Sequence, residues 1–299
     1  MKLLKVFYNI KNKIFEIFFL KNISNIILYF FSNNSKITFI NFSFGCLTII
    51  GDNKSYKVEI IKNSLSKELK NRALIKNKYH SINKLLLPIL IEKKFGFRIL
   101  ISDTIPKLNN SLDIFKAYSN VLNQFNKHYI ENKNISVKDF CMIKLAIEKI
   151  SRNQKEYKEL EYLFQNEINK QKKFRPSHGD FHLNNILKYN DFFYIIDLDC
   201  FREIQFIWMD EIYFVIELIY IENKDKYKSW RNICYKILLE EDDILYQYKE
   251  YFINFNYKQP FTQMLIFIFD RIGQDSLYGK CNFDFIHKII DSTHSKVIK

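Results

Sequence analysis

His178–Asn185 reads HGDFHLNN, and Ile195–Asp199 reads IIDLD after a short apolar run. These two segments decide how the rest of the chain is read. Asp180 is followed five positions later by an asparagine, Asn185. Asn184 is adjacent, but the aspartate-to-asparagine spacing selects Asn185. The run Phe192–Ile196 is apolar and strand-like, and Asp197 stands at its end. A strand running back along the loop brings Asp197 beside Asn185. Asp199 is two residues further on, so in an extended segment it shares a face with Asp197. Oxygen-rich groups of this kind suit Mg²⁺. A plainer reading is that Asp180 and Asn185 shape a loop and Asp197 caps a strand.

The spacing matches a particular chemistry. Phosphoryl transfer needs an aligned nucleophile, cations on the developing charge and metal ions on the phosphates. An aspartate facing the acceptor hydroxyl, an asparagine a few residues later and a second aspartate after a strand supply these. HGD alone is a weak signal. HGDxxxxN followed by an apolar residue and I-D-x-D is a specific one. These residues resemble the aminoglycoside phosphotransferase and choline kinase-like family, which shares the protein-kinase fold. The resemblance implies ATP as donor, Mg²⁺ as metal and a small-molecule hydroxyl as acceptor. It implies Asp180 as catalytic base or hydroxyl-orienting residue, with Asn185 and Asp197 as Mg²⁺ ligands. His178 is then a support of the loop. Gly179 stands where protein kinases carry an arginine, which argues against switching by activation-loop phosphorylation. Asp210, in WMDEIYF, resembles the family aspartate that opens a helix after the metal motif, and a structural role is expected. Asp199 is expected as a supporting neighbour.

Working outward, residues 36–62 read as strands. Lys36–Phe42 and Cys46–Ile50 are rich in β-branched and aromatic residues. Gly51–Lys54 is a turn signal, and Tyr56–Ile61 is a third strand ending at Lys62. Ser64–Tyr79 reads as a helix and Phe97–Ile101 as a further strand. Lys62 resembles the phosphate-contacting lysine, or else is a solvated strand-end lysine. Glu68 is its candidate partner. Ser43–Gly45, with Gly45, is a poor version of a glycine-rich loop over ATP. Ser102–Ile105 is the expected adenine-binding hinge. Leu112–Tyr129 and Val137–Ile168 carry apolar residues at helical spacing, and the chain from about Ile207 is again helical, with a break near Pro260.

The expected fold is α+β and two-lobed, protein-kinase-like: a small antiparallel β-sheet lobe and a mostly helical lobe. The expected parts are an amphipathic segment over 1–34, the sheet lobe over 35–105 and the helical lobe over 106–299. With 299 residues and 47% apolar content the chain is long enough for a sizeable core. Six glycines and four prolines are too few for a turn-rich β protein.

The formal net charge is +13, but the lysines are spread along the chain with no dense basic block. Nucleic-acid binding is therefore not expected. Five separated cysteines without a CxxC pair suggest neither zinc nor a disulfide scaffold, and fit a reducing cytoplasm. Residues 1–31 are basic and aromatic, but charges interrupt every apolar run. They suit a helix packed on its own domain, or one lying on the anionic inner face of a membrane, and do not suit a spanning helix.

The acceptor is expected to be a sugar, envelope glycans included, or an amino alcohol. The IDLDCFRE run resembles the IDFD-type motif of lipopolysaccharide sugar kinases. Glu203, Asp210, Glu211 and Glu217 offer a second expectation, attraction of a cationic aminoglycoside. A nucleotide-binding pseudokinase or a membrane-associated scaffold is the non-enzyme alternative.

Overall fold

The computed structural model describes residues 30, 32–33, 36–43, 45–94, 97–105, 108, 111–239, 243–277 and 284–297. The segment expected to contact a membrane lies outside these, apart from Phe30. That ring is fully buried and packs on Tyr56 at 4.4 Å between centroids. Among the described residues no helix is long and apolar enough to cross a membrane.

The chain divides into two compact units, residues 1–67 with 87–105 and residues 68–86 with 106–299. The first unit holds an antiparallel sheet of β1 (Ile37–Ser43), β2 (Cys46–Gly51), β3 (Lys54–Glu59), β4 (Leu90–Lys94) and β5 (Phe97–Asp103). Its order is β1-β2-β3-β5-β4. Alternation decides which face is covered. Leu47, Ile49, Tyr56, Val58 and Ile99 form one buried cluster with Phe30. Lys57 lies on the opposite face of β3, level with Thr48 and Leu100.

Two strand readings need correction here. β3 ends at Glu59, not Ile61, because Ile60 and Ile61 both donate their amides to the Gly45 carbonyl and Asn63 takes a left-handed φ of 71°. β4 was not expected. Its sequence, LIEKK, mixes exposed apolar and charged residues, as an edge strand does.

The second unit begins with α1 (Ser66–Lys78) and the short α2 (His80–Asn83). The sequence placed this segment in the sheet lobe. The grouping differs because Ile75, Tyr79, Ile82 and Leu85 join the large helical core, and Asn71 Nδ2 donates to the Leu198 carbonyl at 2.6 Å. The unit continues with α3 (Ser111–Phe125), β6 (Ile130–Glu131), α4 (Cys141–Ile150), α5 (Gln154–Lys170), β7 (Lys173–Ser177), β8 (Ile186–Tyr189), β9 (Phe192–Ile195) and β10 (Arg202–Phe206). Then come α6 (Met209–Glu222), α7 (Trp230–Leu238), α8 (Ile244–Gln247), α9 (Phe261–Leu277) and α10 (Asp284–Val297).

The long helical reading over 137–168 splits in two. Ser151 is extended, and the Asn153 side chain accepts the Glu156 amide at 3.0 Å, capping a new helix. Pro176 sits inside β7. Pro260 directly precedes α9 and supplies its first carbonyl, to Met264.

Candidate functional site

Strand register gathers the site. β7 pairs antiparallel with β10, Ser177 opposite Arg202, so the loop leaving β7 and the loop entering β10 share one end of that sheet. β8 pairs with β9, Ile186 opposite Ile195, so Asn185 and Ile196–Asp197 share one end of the hairpin. Asn190 makes the return turn at a φ of 53°. The Ile196 amide donates to the Asn185 carbonyl at 3.1 Å, and the Ile196 carbonyl lies 2.9 Å from His178 Nε2. Buried His178 therefore ties the 178–185 loop to the 196–201 loop.

Gly179 is required at the junction. Its φ is +76°, and a Cβ there would stand 1.9 Å from the Cys200 carbonyl oxygen. Its amide donates to Ser177 Oγ at 3.0 Å, and Ser177 Oγ donates to Asp210 Oδ1 at 2.7 Å. Asp210 is buried beside Arg175, 3.2 Å away. From the other side Gln274 donates to the Gly179 carbonyl. Arg202 donates to the Cys200 carbonyl and reaches Asp270 at 3.4 Å. Asp270 also accepts from Gln205 at 3.1 Å and Tyr213 at 2.9 Å. α9 thus braces both loops from beneath.

Within the loop, Asp180 is flanked by two nitrogens. Arg271 Nη1 lies 2.6 Å from Oδ1, and His182 Nε2 lies 3.5 Å from Oδ2. Burial opposes ionisation of Asp180, but His182 and Arg271 outweigh it and hold the carboxyl well below the usual carboxylate range. Asn185 Nδ2 donates to the Asp180 carbonyl at 2.9 Å, which fixes the amide and leaves Oδ1 as its acceptor atom. Carboxylate oxygens of Glu68, Asp197 and Asp199 all lie within 4.8 Å of one another. Asp197 takes a left-handed backbone, φ 58°. Glu68 Oε1 also accepts from Arg72 Nε at 3.1 Å, one helical turn on. Carboxylates this close repel one another unless a cation stands among them, and hard oxygen ligands fit Mg²⁺.

The helical unit therefore holds Asp180, Asn185, Asp197, Asp199, His178, Asp210 and Glu68. The sheet unit holds the other two candidates. Gly45 has a φ of +80° and closes the β1–β2 hairpin, whose Ser43 pairs with Cys46. Lys62 is exposed on the turn after β3 and does not close that strand.

Sequence reasoning passed over His182 and Arg271. His182 had a signal, since residues two apart on an extended loop share a side, as Asp180 and His182 do. Arg271 is 91 positions from Asp180, with no local motif to announce it. The acidic residues expected to attract cations are mostly committed elsewhere. Glu203 accepts from Lys78 at 2.5 Å and from Tyr79 at 3.1 Å. Buried Glu211 accepts the amides of Ile253, Asn254 and Phe255.

No protein-family profile matches the chain, and no curated protein matches it in sequence. Solved structures do match in fold. A GDP complex of a mutant aminoglycoside 2′-phosphotransferase-IIIa superposes with a TM-score of 0.52 at 11% identity, over 92% of this chain and 96% of that one. Aminoglycoside phosphotransferase APH(4)-Ia gives 0.51 at 12% identity, over 92% and 98%. An amicoumacin kinase in complex with AMP-PNP, Ca²⁺ and Ami gives 0.50 at 13% identity, over 87% and 89%. The chain therefore has the two-lobed, kinase-like fold of the aminoglycoside phosphotransferases.

Proposed function

We propose that the chain is an ATP- and Mg²⁺-dependent phosphotransferase that phosphorylates a hydroxyl of a small molecule, with a sugar as the acceptor class. The observation that carries this is the register-built meeting of the Asp180 loop with the Asp197 loop, beside a cluster of three carboxylates. Relatives in fold whose structures hold GDP, or AMP-PNP with Ca²⁺, support the nucleotide part of the reading.

In this reading Asp180 accepts a hydrogen bond from the acceptor hydroxyl and aims its oxygen at the γ-phosphorus. The new O–P bond forms as the bond to the β-phosphate oxygen breaks, and ADP leaves. Held below the ordinary carboxylate range, Asp180 is a weak base before reaction. It orients the hydroxyl and takes its proton late, when the oxygen has become acidic. Asp197 and Asn185 Oδ1 would hold the metal, with Asp199 and Glu68 beside them. The metal supplies charge neutralisation on the phosphates when bound. His178 and Asp210 hold the two loops. Gly45 covers phosphate, and Lys57 or Lys62 contacts it. The reducing cytoplasm suits the free cysteines.

A sugar is favoured over an amino alcohol or aminoglycoside by the walls near Asp180. The faces of Tyr213 and Trp230 already carry Arg271, at 5.3 and 5.9 Å, and Trp230 also carries Arg231 at 4.9 Å. A cationic acceptor would compete with guanidinium groups for those rings.

The test is ATP consumption in the presence of sugars, polyols and amino alcohols, with Mg²⁺ and then with EDTA. Turnover with at least one hydroxyl compound, lost with EDTA and in Asp197→Asn, is expected. Turnover that is indifferent to both the chelator and the substitution would remove the metal assignment, and none with any compound would remove the enzyme reading.

A further inference from the structure

Arg271 stands against one of the two oxygens that Asp180 offers to an acceptor hydroxyl. The cavity beside Asp180 is walled by His182, Tyr213, Glu217, Trp230 and Arg271, and its free space is about 10 Å³, room for one water molecule. An acceptor hydroxyl that takes Asp180 Oδ1 meets Arg271 Nη1, 2.6 Å from that oxygen. A hydroxyl that takes this oxygen displaces Arg271, whose guanidinium then loses its hydrogen-bonded carboxylate and keeps only the more distant Asp275.

That displaced charge is costly to leave unpaired. Its side chain is 23% exposed and packed between Tyr213 and Trp230. A partly buried guanidinium that loses its counter-ion is penalised unless a new anion meets it. Glu217 is the other carboxylate lining the cavity. A ligand that brings its own anion solves the problem. A guanidinium fork matches a carboxylate or phosphate in two parallel hydrogen bonds.

We infer that Arg271 is the specificity-determining residue of the acceptor site, and that the acceptor is a polyhydroxy compound with a carboxylate or phosphate group near the hydroxyl it presents to Asp180. This rests on the phosphotransferase reading above. In the resting site Arg271 pairs with Asp180 and fills the cavity. The acceptor's anion draws Arg271 away, which opens the cavity and frees Asp180 to receive the hydroxyl. A neutral sugar provides no such exchange, and a cationic one is repelled.

Trp230 gives a readout independent of turnover, because it lines the cavity whereas Trp208 is 1% exposed in the core. The full chain is titrated by tryptophan fluorescence with gluconate, glucuronate and glucose 6-phosphate, with glucose and glycerol, and with choline and kanamycin. ADP release is followed with the same compounds. The expected result is that the anionic set changes the emission at least about 10-fold more tightly than the neutral and cationic sets, with glucuronate and glucose 6-phosphate telling carboxylate from phosphate. Arg271→Gln removes the preference and Arg271→Lys keeps part of it, both with a wild-type far-UV spectrum. Equal or tighter binding of neutral or cationic compounds, no binding of any set, or a preference that survives Arg271→Gln overturns the inference. ADP release with a neutral or cationic compound in those cases leaves the phosphotransferase reading standing. Selective anion binding through Arg271 without any ADP release supports the anion site and removes the enzyme reading instead.

Discussion

With Arg271 2.6 Å from one oxygen of Asp180 and His182 3.5 Å from the other, the carboxylate stays ionised far into acid. A depressed folded-state pKa means that the pair's contribution to stability is complete above the unfolded carboxylate value. It is lost only as pH falls through the lower folded value. Arg271→Gln removes one of the two contacts that lower the Asp180 pKa while burial and His182 remain, so that pKa rises. The acid limb of the pH–rate profile is then expected to move to higher pH than in wild type, which a kcat/KM profile measures; an unmoved limb excludes the pairing in solution. Gly179 makes a separate prediction at this scale. Its left-handed φ and the Cys200 carbonyl leave no space for a methyl group. Gly179→Ala is expected to cost about 2–4 kcal/mol by urea denaturation, from strain and displacement together. The HGD motif was legible because its spacing is local. The partner that tunes Asp180 was not, because a salt bridge across 91 positions leaves no periodic or compositional trace.

At the scale of elements, α9 joins the two loops through Asp270 and Gln274, and it is the part of the chain that no motif foretold. Asp270→Ala leaves the Arg202 guanidinium buried without its carboxylate. A loss of about 3–5 kcal/mol is expected in thermal or urea unfolding, and a loss under 1 kcal/mol would show that α9 does not brace the loops. The strand–turn–strand of β8 and β9 was half legible. Phe192–Ile196 announced itself by its apolar residues, while Ile186–Tyr189 was hidden behind the motif that precedes it. β3 shows why ends are harder than middles. Ile60 and Ile61 have strand chemistry, yet the Gly45 carbonyl takes both amides and turns the chain. With that end, Lys57 lies within β3 and Lys62 beyond it. Lys57→Ala is expected to raise the KM for ATP at least about 10-fold, with Lys62→Ala changing it less than about 3-fold; the reverse order would return the phosphate contact to Lys62.

At the scale of the whole molecule, the order of sheet followed by helices was readable from glycine scarcity, β-branched runs near the start and helical spacing after residue 111. The grouping of 68–86 with the helical unit was not, since burial of Ile75, Ile82 and Leu85 depends on partners far along the chain. Relatives in fold at 11–13% identity show how much sequence can change while that order persists. If the chain binds nucleotide and metal together, Mg²⁺-ATP at about 100 times its Kd adds about 2.7 kcal/mol of stability, a Tm rise of several degrees that EDTA cancels. The central claim is that Asp180 directs phosphoryl transfer to a small-molecule hydroxyl. It is tested most directly by counting γ-phosphate moved from labelled ATP onto that hydroxyl by wild type and by Asp180→Asn. Transfer by wild type and at least about 100-fold less by the variant is expected, with its Mg²⁺-ATP Tm rise intact. Equal transfer by the two proteins, or none by wild type, contradicts it.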